Sequence, residues 1–142
     1  MANAIRSKAL DLLARREHSR SELLQKLLER GFLENEIINV LDTLKKEGLQ
    51  SDARFVECYI SSRSRKGFGP VRIAMELRAR DVEDELIKLG LQNEELDWIE
   101  LAASVRQKKF GTKIPKDFND KMKQMQFLQY RGFTSDQIKE CF

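Results

Sequence analysis

Among its 142 residues this chain has only two prolines and seven glycines, so little in it interrupts helices. It has two cysteines, Cys58 and Cys141, far apart and outside any CxxC pair, and a single histidine, His18. A Cys/His zinc site is therefore short of ligands, and buried free thiols in a reducing compartment are expected. Long apolar runs are absent: Ala9 to Ala14, broken by Asp11, is typical, so no membrane span is expected. The first residues, Met1 to Arg6, lack the apolar stretch of a secretory signal, which points to the cytoplasm. Nucleophile elbow, metal cluster and cofactor motif are all missing. These absences together predict a binding module that is not an enzyme and uses no cofactor.

What the chain does have is charge and amphipathic periodicity. Apolar residues make up 41% and charged residues 35%, enough for a core if it is spread over many helices. The net charge of +3 conceals strong segregation: residues 1–53 balance, 54–82 carry +4, 83–105 carry −6 and 106–142 carry +5. Segregation of this kind predicts basic patches suited to nucleic acid or to an acidic protein groove.

The chain also repeats itself. Arg30-Gly31-Phe32, followed by Ile37 and Leu41, recurs as Arg131-Gly132-Phe133 with Ile138 and Phe142. An intermediate copy reads Arg80-Asp81-Val82 with Ile87 and Leu91, and Leu27 maps onto Leu77 and Leu128. Three units of three helices follow, at residues 1–50, 51–97 and 98–142. The expected class is all-α, with the repeats forming an elongated, curved array.

Local signals set the helix limits. Ser19 with Glu22 fits a capping box, and Gly31 fits the left-handed residue that closes a helix. Asp52 is the expected N-cap of the first helix of the second unit, and Pro70 suits a first helical turn. Asp81 stands where the other units have glycine and tolerates a left-handed backbone. Glu83-Asp84-Glu85 reads as an acidic first turn, and Met122 and Met125 as core.

These residues compose a known pattern. Arg16-Glu17-His18-Ser19-Arg20 with Glu22-Leu23 and Lys26-Leu27 resembles the first-repeat signature of RecX proteins. Ser51-Asp52-Ala53-Arg54-Phe55, then Lys66-Gly67, Gly69-Pro70, Arg72-Ile73 and Glu76-Leu77, resemble the second. Lys108-Lys109-Phe110-Gly111 and Phe127 to Phe133 resemble the third, so the likeness runs from about Ala9 to Phe142. Val56 departs from it, at a place where alanine is common. The resemblance implies a regulator of the RecA recombinase, acting in recombination, DNA repair and the SOS response. Such a protein binds the RecA filament on single-stranded DNA in its groove and suppresses ATPase, strand exchange and coprotease activity. A monomer is the expected state of such an adaptor, with weak direct DNA binding as an accessory.

Eleven cations are the candidate contacts with RecA or DNA. Arg63, Arg65, Lys66 and Arg72 surround the Lys66-Gly67-Phe68-Gly69-Pro70 turn; Arg106, Lys108, Lys109 and Lys113 form a second cluster; Arg15, Arg16 and Arg20 form a third. The competing reading of each is a solvated helix end, where cations favour the dipole. Tyr59, Phe68, Trp98 and Tyr130 are the aromatics that could stack on bases; Tyr59 and Trp98 lie on apolar stripes and read as core, and Phe68, the better exposed candidate, is expected to be buried between units. His18 beside Ser19 reads as a helix-start residue rather than a catalytic one. The other function open to three-helix units is helix-turn-helix DNA binding independent of RecA.

Overall fold

Polar side chains start most of the helices. In the computed structural model, which describes residues 2–142, α1 spans Ala2–Arg15, α2 Arg20–Glu29 and α3 Glu34–Lys46. The second unit holds α4 (Asp52–Arg65), α5 (Pro70–Arg78) and α6 (Asp84–Leu91). The third holds α7 (Trp98–Phe110), α8 (Phe118–Tyr130) and α9 (Ser135–Lys139). Ser19 and Glu22 form the expected capping box on α2, and Thr134 and Gln137 repeat it on α9. Such a cap stabilises a helix by about 1 kcal/mol, by satisfying backbone N–H groups with no partner inside the helix.

The N-cap of α4 differs from expectation. Ser51 accepts from the Arg54 N–H, and Asp52 is the first helical residue. The Asp52 carboxylate is taken up elsewhere, accepting from the Arg20 N–H at 2.8 Å and from the Gln50 side chain at 2.9 Å. The inner face of α4 is Phe55, Val56, Ile60 and Ser64, so Cys58 falls on the outer face and is exposed, contrary to the expectation of two buried thiols; only Cys141 is buried. Similarly, the inner face of α8 passes through Gln124 and Leu128, which leaves Met122 exposed rather than in the core.

The repeat is a repeat of burial. Leu27, Leu77 and Leu128 are each fully buried, as are Ile37, Ile87 and Ile138 to within 4%. Each unit has its own core cluster, and each cluster holds one of these leucines and one of these isoleucines. Leucine-to-alanine substitution at any of these positions is expected to cost about 2–5 kcal/mol. Trp98 packs on both the second and third clusters. The chain reverses into each third helix through a residue with positive φ: Gly31 at 89°, Asp81 at 57° and Gly132 at 98°.

The units stack in line: hydrogen bonds between units join first to second and second to third, and none joins first to third among the described residues. The first joint is made of side chains. Arg54 pairs with Glu17 at 3.2 Å, Ser21 donates to Asp81, and Arg80 approaches Glu22 at 3.9 Å. The second joint is backbone against backbone. The Gly69 N–H donates to the Arg131 carbonyl and the Val71 N–H to the Gly132 carbonyl, both at 2.8 Å.

Candidate functional site

The second joint brings two helix C-termini together. At one, α4 ends in Arg65 with Lys66 as its C-cap; at the other, α7 carries Lys108 and Lys109 in its last turn. Each cluster has a local reason to exist, because the partial negative charge of a helix C-terminus favours cations. The packing adds their convergence on one cleft of about 300 Å³, lined by Arg65, Lys66, Gly67, Leu101, Ser104, Val105, Lys108, Lys109, Phe127 and Arg131. Five of these residues are cationic and none is a carboxylate.

Arg131 holds the cleft together. Its guanidinium donates to the Lys66 carbonyl at 3.0 Å, one of the unpartnered carbonyls at the end of α4. It also lies over the Phe68 ring at 4.9 Å and the Phe127 ring at 5.2 Å, where a cation is attracted to the aromatic face. Lys109 approaches the other side of the site over Phe127 at 5.4 Å, and Phe110 meets Phe127 edge to face at 5.4 Å. The backbones fit too closely here for any side chain at the joining glycines. A Cβ on Gly69 would stand 2.6 Å from the backbone of Gly132, and one on Gly132 would stand 2.3 Å from the Arg72 Cβ.

The structure divides the eleven candidate cations. Arg65, Lys66, Lys108 and Lys109 face the cleft, and none of them pairs with a carboxylate among the described residues. Arg63 and Arg72 turn away from it. They share Glu76, Arg63 through two hydrogen bonds of 2.9 Å and Arg72 at 3.4 Å, and both lie over Phe68. Burial raises the Glu76 pKa, but Arg63, Tyr59 and Arg72 outweigh it and hold the carboxyl below its ordinary range. Phe68 is consequently enclosed by three guanidinium groups and is not free to stack on a base.

Arg106 is removed from the surface candidates. It is 2% exposed, donating to the Gln124 side chain at 3.2 Å and to the Lys113 carbonyl at 3.4 Å, with its Nε unpartnered. Position 106 lies four residues after Ala102 on the inward stripe of α7, which carries the side chain into the core. Lys113 is exposed on the following loop, outside the cleft. In the third cluster Arg16 pairs with Glu22 at 3.2 Å and Arg20 with Asp42 at 2.7 Å, leaving Arg15 exposed without a carboxylate partner.

Arg131 and Ser104 were not singled out from the sequence. Arg131 served there only as a marker of the repeat, and nothing in the linear order places it beside Lys66. His18 is buried at the first joint. Its Nδ1 sits 3.0 Å from the Arg16 carbonyl, so it donates, and its Nε2 accepts from Lys26 at 2.9 Å. Burial, with the charges of Arg16 and Lys26 adding to it, lowers its pKa and keeps the ring neutral.

Other concavities lack this character. The cleft at the first joint, about 440 Å³, sets Arg16, Arg63, Lys66 and Arg80 against Glu17 and Glu22. A larger one of about 690 Å³ lies within the second unit between α4 and α6 and is lined by aliphatic side chains such as Val56, Ile60 and Leu89 together with polar ones, the carboxylates of Glu57 and Glu95 among them. No helix is long and apolar enough to cross a membrane among the described residues.

Comparison with known proteins agrees with the three-unit architecture. Family models described as the first, second and third three-helix domains of RecX match residues 6–44, 51–91 and 95–142. A protein of Halorhodospira halophila named Regulatory protein RecX is 48% identical over 97% of this chain and 86% of its own length. Another of that name, from Pseudomonas fluorescens, is 44% identical over 95% of this chain and 87% of its own. A crystal structure of RecX from Lactobacillus salivarius superposes with a TM-score of 0.82 at 20% identity, covering 99% of this chain and 93% of that one. A second crystal structure of a regulatory protein RecX gives the same TM-score at 21% identity, covering 99% of this chain and 70% of that one.

Proposed function

The chain belongs to the RecX family, and on that footing we propose that it modulates the RecA recombinase as a negative regulator in the cytoplasm. It binds as a monomer in the groove of the RecA filament on single-stranded DNA. Its three units, taken as residues 1–50, 51–97 and 98–142, follow the groove, and its presence suppresses ATPase, strand exchange and coprotease activity. The observation that carries this reading is the cleft between the second and third units, where five cations meet with no carboxylate among its lining residues. Uncompensated charge of one sign in a concave site recruits a partner of the opposite sign and speeds its encounter.

Mechanistically, the regulator acts by binding one filament conformation better than another and shifting the population toward it. A body seated in the groove also obstructs the path of a second DNA strand. Arg65, Lys66, Lys108 and Lys109 make the principal contacts, to filament phosphates or acidic RecA side chains, with Arg15 and Lys113 as outlying charges. Arg16, Arg20, Arg63 and Arg72 are engaged by carboxylates of this chain and contribute less.

The test is binding of labelled protein to RecA–DNA filaments, to free RecA and to bare single strands at rising salt. Tightest binding to the filament, weakened by salt and by joint Arg65→Gln, Lys66→Gln, Lys108→Gln and Lys109→Gln substitution, supports the reading. Equal affinity for bare DNA and filament would instead favour DNA binding independent of RecA.

A further inference from the structure

The charged cleft is also the seam of a joint, and the two facts are linked. Arg65 and Lys66 stand on its second-unit wall, Lys108 and Lys109 on its third-unit wall, with Arg131 between them. Like charges on facing walls oppose closure of the joint. Contacts that favour closure include the hydrogen bonds from the Gly69 and Val71 N–H groups to the Arg131 and Gly132 carbonyls, the Arg131 guanidinium on the Lys66 carbonyl, and the packing of Trp98 on both cores.

We infer that the cleft binds the phosphate backbone of a single-stranded nucleic acid, and that a bound strand locks the second unit to the third. A phosphate between the walls replaces repulsion across the seam by attraction to both sides. The Arg131 contacts to the Lys66 and Gly67 carbonyls run through Nη1 alone, so its remaining N–H donors are available to an anion without releasing the joint. Ser104 adds a hydroxyl donor to the cleft. Cations on both walls of a narrow cleft suit the backbone of a single strand, which positively charged grooves track. Binding and joint rigidity are therefore linked reciprocally: whatever stiffens the joint tightens the strand, and the strand stiffens the joint. This inference concerns the cleft named above but needs no RecA.

The experiment uses the full chain without RecA. Amide hydrogen exchange is measured at Gly69 and Val71, with and without a saturating thymidine oligonucleotide at low salt. The Leu23 N–H, which bonds Ser19 within the first unit, is the internal reference. Protection at Gly69 and Val71 should rise on the order of 5-fold or more, with Leu23 unchanged. Combined Lys108→Gln and Lys109→Gln should lose both oligonucleotide affinity and the added protection while keeping the Leu23 rate. Oligonucleotide binding without added protection at the joint would overturn the coupling. Undiminished binding by the double variant would overturn the site. Inorganic tripolyphosphate binding and protecting as well as the oligonucleotide would overturn the assignment to a strand. A chain that passes this test but leaves RecA unaffected would retain the site and lose the function proposed above.

Discussion

Gly69→Ala isolates the joint from the units it joins. The backbone at Gly69 has φ −91° and ψ 174°, an extended conformation open to alanine, so the substitution creates no local strain. The added methyl instead falls 2.6 Å from the Gly132 carbonyl carbon and oxygen and 2.7 Å from the Phe133 nitrogen. All three are backbone atoms of the third unit, which cannot rotate aside as a side chain would. If the joint stays closed, overpacking costs about 1–3 kcal/mol. If it opens, the two backbone hydrogen bonds from Gly69 and Val71 are lost, at about 1 kcal/mol each. Both routes predict a loss near 2 kcal/mol, a large share of the 5–15 kcal/mol typical of a folded domain. The chain's single tryptophan, Trp98, packs on both the second and third cores and reports on the seam between them. Urea unfolding followed by Trp98 fluorescence, with hydrogen exchange at Val71, is the assay. Gly31→Ala serves as the contrast: its φ of 89° strains alanine, nothing lies within 4 Å of the new methyl, and the joint should be untouched. A Gly69→Ala protein with unchanged midpoint and unchanged Val71 exchange would refute the assignment of this contact as the joint.

Two further predictions concern buried polar groups. His18 is held below its ordinary pKa of 6.5, so below about that pH the unfolded chain takes up a proton more readily than the folded one. Stability should therefore fall as pH drops from 7 to 5, and His18→Gln should flatten that part of the profile in denaturant titrations; an unchanged slope would refute the role of the ring. Arg106 is buried with no carboxylate partner among the described residues, so replacing it together with its partner, Arg106→Met with Gln124→Leu, should change stability by less than about 1 kcal/mol. Gln124→Leu, which strands the guanidinium, should cost about 3 kcal/mol by the same measurement.

The fold was legible because its signals are local or periodic. The capping box at Ser19, Pro70 at a first turn and the recurring Leu27, Leu77 and Leu128 each state a physical requirement in a few adjacent or evenly spaced residues. Helix phase was less legible where the apolar stripe is weak: Cys58 and Met122 lie just off an inner face, and Arg106 lies on one. The site was half visible. Lys66 and Lys108 are 42 positions apart, and only the docking of Gly69 on Gly132 brings their helix ends together. Which cations are compensated was equally hidden, since Glu76 reaches Arg63 across thirteen positions through the packing of α5 on α4.

The most direct measurement of the central claim is RecA's single-stranded-DNA-dependent ATP hydrolysis as this protein is added, from substoichiometric ratios upward. Suppression that begins well below one molecule per RecA, and is relieved when Arg65, Lys66, Lys108 and Lys109 are neutralised in a folded variant, is the predicted result. An ATPase rate that stays constant through stoichiometric excess, with no association with the filament, would contradict it.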